Sequence, residues 1–188
     1  MTKAAPVMKK STACFVFMAL LSLIVGTTLA ADENEKFEKN QEFEGLHITG
    51  QPFDLDPATY RLSVTGLVET PLSLSFDEVK ALTQTSRKLS LNCPGFFTDR
   101  GVWSGVSVRT LLDKAGLKED AKMVIFSTPD DSYRTRFPVN EAIKDDMIIA
   151  YQFNGKEFHR VHGFPLRLAA GGKEGSDWVK WLAKITVE

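Results

Sequence analysis

Residues 147–168 read MIIAYQFNGKEFHRVHGFPLRL. Met147–Phe153 reads as a strand, Asn154-Gly155 as a tight turn, and Lys156–Phe158 as the returning arm, followed by Phe164–Ala169 as a further strand. Working outward, Tyr60–Thr65 alternates apolar and polar residues up to Gly66, as a half-buried strand does. Lys88–Cys93 alternates too, placing Leu89, Leu91 and Cys93 on one face. Met123–Ser127 and Tyr133–Phe137 flank Pro129-Asp130-Asp131 as a hairpin, and Lys184–Val187 closes the series. Helices are few. Ser75 and Glu78 make a capping box for a helix through about Leu82, Ser107 caps one ending at Ala115 before Gly116, and a short one follows near Val139–Lys144. Strand signals outnumber helices without a regular strand–helix–strand period, which predicts an α+β fold with a mixed β-sheet and short helices.

The chain of 188 residues divides into three segments on composition. Lys9-Lys10 precede an almost uncharged run, Ser11–Ala30, whose apolar core Phe15–Val25 is shorter than the roughly 20 residues of a membrane span. Residues 1–30 therefore read as a Sec-type signal peptide cleaved after Ala30 or Ala31. Residues 31–45 are acidic and polar and read as a mobile leader. From 46 to 188 there is no linker, repeat or break in composition, so one domain is expected.

Lys+Arg number 23 and Asp+Glu 24, a formal charge of -1, which lacks the basic footprint of a nucleic-acid binder. The two cysteines, Cys14 and Cys93, are too few for a disulfide scaffold. Loss of the signal segment removes Cys14 and leaves Cys93 alone in an oxidising compartment, where thiols usually pair.

Cys93 ends a strand and enters Pro94-Gly95, a turn that exposes a side chain at the mouth of a sheet. A thiol so placed suits a soft metal ligand or a nucleophile, and the alternative is a buried structural thiol. His47, His159 and His162 are the available bases, none in a triad context. Downstream, Arg167 feeds a strand that leads into Gly171-Gly172-Lys173-Glu174-Gly175 and then Trp178-Val179-Lys180-Trp181. Glycines admit an anion to backbone N–H groups, and Arg167, Lys173 and Lys180 are cations for a phosphate; ordinary turn glycines with solvated cations are the alternative. The spacing is neither a Walker nor a dinucleotide fingerprint. Trp103, Trp178 and Trp181 read as core or pocket walls.

Taken together, DLDPATYRLSVTGLVETPLSLSFDEVKAL (54–82), Cys93 with Trp103 ten residues on in VWSGVSVRTLL, DDSYRTRFPV (130–139), the opening segment and WVKWLAKITV (178–187) resemble the molybdopterin-binding domain of the sulfite oxidase family. The resemblance implies that domain's mixed α+β fold over 46–188 and the molybdenum cofactor, molybdopterin. It implies Cys93 as catalytic molybdenum ligand, with His162, Arg167 and Lys180 holding the pterin and its phosphate; the glycine loop adds Gly172 and Lys173 as candidate cofactor-binding residues. It further implies a periplasmic oxidoreductase acting on a small-molecule substrate and passing electrons to a membrane-bound haem or quinone partner. Where family members read V-V-P-G-K-Y-G, this chain has Ala169–Gly175, and Lys9-Lys10 is not the twin-arginine of exported molybdenum enzymes. These departures carry the alternative: a non-catalytic module that binds a metal-free pterin and regulates a membrane-bound signalling partner.

Overall fold

The computed structural model describes residues 1–2 and 37–188, so the expected signal segment lies almost wholly outside the described residues. In chain order the strands are β1 (Glu42–Phe43), β2 (Leu46–His47), β3 (Leu62–Gly66), β4 (Leu72–Leu74), β5 (Gln84–Cys93), β6 (Phe97–Ser107), β7 (Met123–Ser127), β8 (Arg134–Pro138), β9 (Met147–Phe153), β10 (Lys156–Glu157), β11 (Arg167–Ala170) and β12 (Lys184–Val187). Three short helices intervene: α1 (Phe76–Lys80), α2 (Val108–Ala115) and α3 (Val139–Ala142).

The strands form two five-stranded sheets and one small hairpin, β1–β2. One sheet runs β4-β3-β12-β7-β8 and is mixed, because β12 is parallel to β3 and antiparallel to β7. The other is antiparallel in the order β5-β6-β9, with β10 and β11 both pairing with β9. The expected α+β class with a mixed sheet is the fold observed. Both anticipated caps are present: Ser75 and Glu78 make a full capping box on α1, and Ser107 accepts from the Thr110 N–H at the start of α2, which Gly116 ends. Asn154-Gly155 turns β9 into β10 with positive φ at both residues.

Three expectations change. The eleven-residue β6 is not among the expected strands, because burial alternates over 99–103 but residue type does not follow it, with Asp99 polar and buried and Val102 apolar and exposed; it is nevertheless the strand that carries Trp103 into the core. β11 begins at Arg167 and not at Phe164, consistent with Pro165 having no N–H for a strand ladder. The described part of the expected leader, Phe37–Gly45, is tied to the domain: β1 pairs with β2, and the Phe43 carbonyl accepts a hydrogen bond from His162.

Trp103 is fully buried, packing against Phe153 and Trp178 with ring centroids 4.8 and 4.9 Å away. Two residues on, the β6–β9 register shifts between Ser104 and Gly105. At Gly105 the strands approach so closely that an added Cβ would stand 2.0 Å from the Ile149 carbonyl oxygen. That contact is backbone on backbone and has no side chain to swing aside. Gly105→Ala is therefore expected to lower unfolding stability by about 3 kcal/mol, measured by denaturant titration.

Candidate functional site

The carboxyl end of β5, the start of β6, the β7–β8 turn, the start of β11 and the loop after it converge with residues 47–53 around a cavity of about 620 Å³. Cys93 and Asp99 line it from the β5–β6 hairpin, Arg167 from β11 and Lys180 from the last loop.

Cys93 is half-buried, and Gly175 lies against it: an added Cβ there would meet Cys93 Sγ at 2.2 Å. Burial pushes the thiol up in pKa, Asp99 adds to this, and Arg167 partly offsets it. Arg167 is buried, with its guanidinium 5.0 Å from the Trp103 ring centroid and NH1 donating to the His162 carbonyl at 3.0 Å. Its Nε has no acceptor. Burial pulls Arg167 down to about 10, so it is cationic at neutral pH. Lys180 is buried too, donating to the carbonyls of Val161 (2.9 Å) and Thr49, and burial followed by the Arg167 charge lowers it to about 7. None of the ion pairs among the described residues includes Arg167 or Lys180. The buried carboxylate nearby, Asp99, gives both oxygens to His47, at 2.6 Å to the ring Nδ1 and 2.9 Å to the backbone N–H. The cavity is therefore lined by a buried guanidinium and a buried lysine amine, neither within salt-bridge distance of a carboxylate among the described residues, although the charge of Asp99 supports Arg167 at longer range; such a pair suits an anionic ligand.

A family model described as the oxidoreductase molybdopterin binding domain matches residues 48–188. The chain belongs to that family. Among its relatives, an uncharacterized oxidoreductase, YuiH, of Bacillus subtilis (strain 168) is 33% identical over 147 residues, covering 76% of this chain and 74% of that one. Mitochondrial sulfite oxidase of Rattus norvegicus is 30% identical over 166 residues, covering 72% of this chain and only 30% of the enzyme. Of solved structures, the sulfane dehydrogenase SoxCD of Paracoccus pantotrophus superposes with a TM-score of 0.68 at 28% identity, covering 72% of this chain and 40% of that one. Family members use the molybdenum cofactor in oxidoreductase chemistry, and molybdopterin is the cofactor class of this domain.

The residues present fit such a group. Arg167 and Lys180 face the cavity without a carboxylate, the Arg167 Nε has an unused donor, and Cys93 offers a soft sulfur on the same wall. Among the described residues there is no cluster of three or more His, Cys, Asp or Glu side chains that could hold a metal.

The remaining expected site residues lie elsewhere. His162 is buried behind Arg167; its Nε2–H donates to the Phe43 carbonyl at 2.8 Å, and its Nδ1 has no partner. It reaches the cavity only through its own carbonyl, which holds Arg167. Gly172 and Lys173 are not brought to the cavity at all. They line a smaller hollow, where Glu141 of α3 draws the Lys173 ammonium away at 3.1 Å. The tryptophans are as expected, with Trp103 in the core and Trp178 and Trp181 on the cavity wall. Asp99 and its pairing with His47 were not foreseen, because Asp99 sits on the unanticipated β6.

Burial, reinforced by the charges of Arg167, Lys180 and His159, holds His162 down to about 4, although the Phe43 carbonyl opposes this. In the unfolded chain the imidazole titrates near 6.5, so between these values the unfolded state binds a proton that the folded state refuses. Stability should therefore fall as pH drops from about 6.5 to about 4, by about 3 kcal/mol in all. Denaturant unfolding across this range checks it, and His162→Gln, which keeps a donor for Phe43, should flatten the slope.

Proposed function

We propose that this chain is a periplasmic molybdenum-cofactor oxidoreductase in which the Cys93 sulfur ligates the molybdenum. The observation that carries the reading is the lining of one cavity: a lone thiol together with Arg167 and Lys180, two buried basic groups outside salt-bridge distance of any carboxylate among the described residues. Arg167 binds the anionic part of the cofactor through its guanidinium, and Lys180 binds it through the N–H that the Thr49 and Val161 carbonyls leave over. His162 positions Arg167 through its backbone carbonyl. When bound, the cofactor supplies two-electron oxygen-atom transfer at its metal. The protein orients it, and Trp178 and Trp181 exclude water from one side of the cavity.

A small-molecule substrate is in keeping with relatives named for sulfite, nitrate and sulfane chemistry. The cavity of about 620 Å³ suits the cofactor and a ligand of that size. Electrons are exchanged with a separate, membrane-bound redox partner; that the chain works with another protein is in keeping with a relative named as a putative protein-methionine-sulfoxide reductase subunit, YedZ1, of Azospira oryzae, 31% identical to this chain and covered over 51% of its length. The periplasmic location rests on the signal-like run at 11–30, whose apolar core is shorter than a membrane span.

Elemental analysis of protein from the periplasmic fraction of an exporting host is expected to find stoichiometric molybdenum, and Cys93→Ser should lose turnover with the fold intact by circular dichroism. Folded wild-type protein that carries a fluorescent pterin without metal would instead support the metal-free pterin module, and folded protein with neither would overturn both readings. Arg167→Gln is expected to reduce cofactor content more than Lys173→Gln, because only Arg167 reaches the cavity.

A further inference from the structure

We propose that His47 is the proton-accepting residue of this cavity and that Asp99 is the positioning residue that fixes its tautomer; this deepens the reading of the site as an oxidoreductase centre. Three observations carry it. The Asp99 carboxylate, itself 5% exposed, lies 2.6 Å from His47 Nδ1, so Nδ1 carries a proton and the neutral imidazole presents its lone pair at Nε2. The second Asp99 oxygen accepts from the His47 backbone N–H at 2.9 Å, which fixes carboxylate and residue together at two points. The imidazole also lies flat on the Phe97 ring, with centroids 4.2 Å apart and planes 7° apart, so its plane is set by packing. No hydrogen bond among the described residues involves Nε2, and the residue lines the same cavity as Cys93.

A base ordered by a buried carboxylate is the arrangement that general acid–base chemistry uses. Oxidation of a substrate with water as oxygen source sends the water oxygen to the substrate, two electrons to the membrane-bound redox partner and two protons into the site. His47 takes one of these protons at Nε2 and releases it to solvent across its own side chain, which is 25% exposed. The other charged or titratable groups around it are Cys93 on β5, Asp99 on β6, Tyr133 in the β7–β8 turn, Arg167 on β11 and Lys180. Of these, Asp99 is the one that bonds the imidazole, while Lys180 is occupied by carbonyls and Arg167 donates to the His162 carbonyl.

Nitrogen-15 NMR of the histidine rings in purified protein is expected to show His47 protonated at Nδ1 and bare at Nε2, and Asp99→Asn should shift it toward a tautomer mixture. A wild-type His47 bearing its proton at Nε2 would overturn the assignment, and this readout needs no molybdenum, so it stands apart from failure of the functional reading above. In loaded protein, His47→Gln should lower kcat by about 100-fold or more with unchanged metal content and little change in KM. Asp99→Asn should also lower kcat, and Asp99→Glu should restore part of it. Unchanged kcat in His47→Gln, or loss of the metal from a folded His47→Gln protein, would overturn the proposal.

Discussion

Burying two basic groups, Arg167 and Lys180, outside salt-bridge distance of any carboxylate among the described residues is the constraint around which this domain is arranged. An isolated ammonium or guanidinium in an apolar interior is strongly disfavoured, and backbone carbonyls offset this only in part. The structure directs several carbonyls to that task. His162 supplies one to Arg167, Val161 and Thr49 supply one each to Lys180, and the faces of Trp103 and Trp181 take up part of the remaining charge. These partners come from distant parts of the chain, so the cations also act as staples. The segment carrying Thr49 is held to the 161–180 region by Lys180, much as Phe43 is held by the buried His162.

That arrangement explains what was legible from sequence. Local rules sufficed for elements whose signals are local: the Ser75 and Ser107 caps, the Asn154-Gly155 turn, and the strands at 123–127, 147–153 and 184–187. β6 escaped because its burial depends on the partner strand. Val102 stays largely exposed between buried Gly101 and buried Trp103, and the bulge at Ser104–Gly105 breaks whatever period there is.

The site was legible in its types and not in its distances. Cys93 at a strand end and the cations Arg167 and Lys180 share one cavity, as the segment order suggested. Glycine and lysine in the 171–175 loop looked equally suited to an anion, but which way a loop cation turns depends on the nearest carboxylate, and for Lys173 that is Glu141 of α3, 32 residues earlier in the chain. The reverse holds for Gly175. It was one of three similar glycines in sequence, and only the contact with Cys93 Sγ distinguishes it.

That contact also governs what the lone thiol is exposed to. A disulfide forms when a thiolate reaches along the axis of the S–S bond it attacks, so the sulfur needs open space in a defined direction. The Gly175 backbone occupies one side of Cys93, and the cavity is the approach left. The thiol is also held protonated by burial and by Asp99, and a neutral thiol is a poor nucleophile. Cys93 is thus shielded on the Gly175 side, and bulky thiols that cannot enter the cavity do not reach its sulfur.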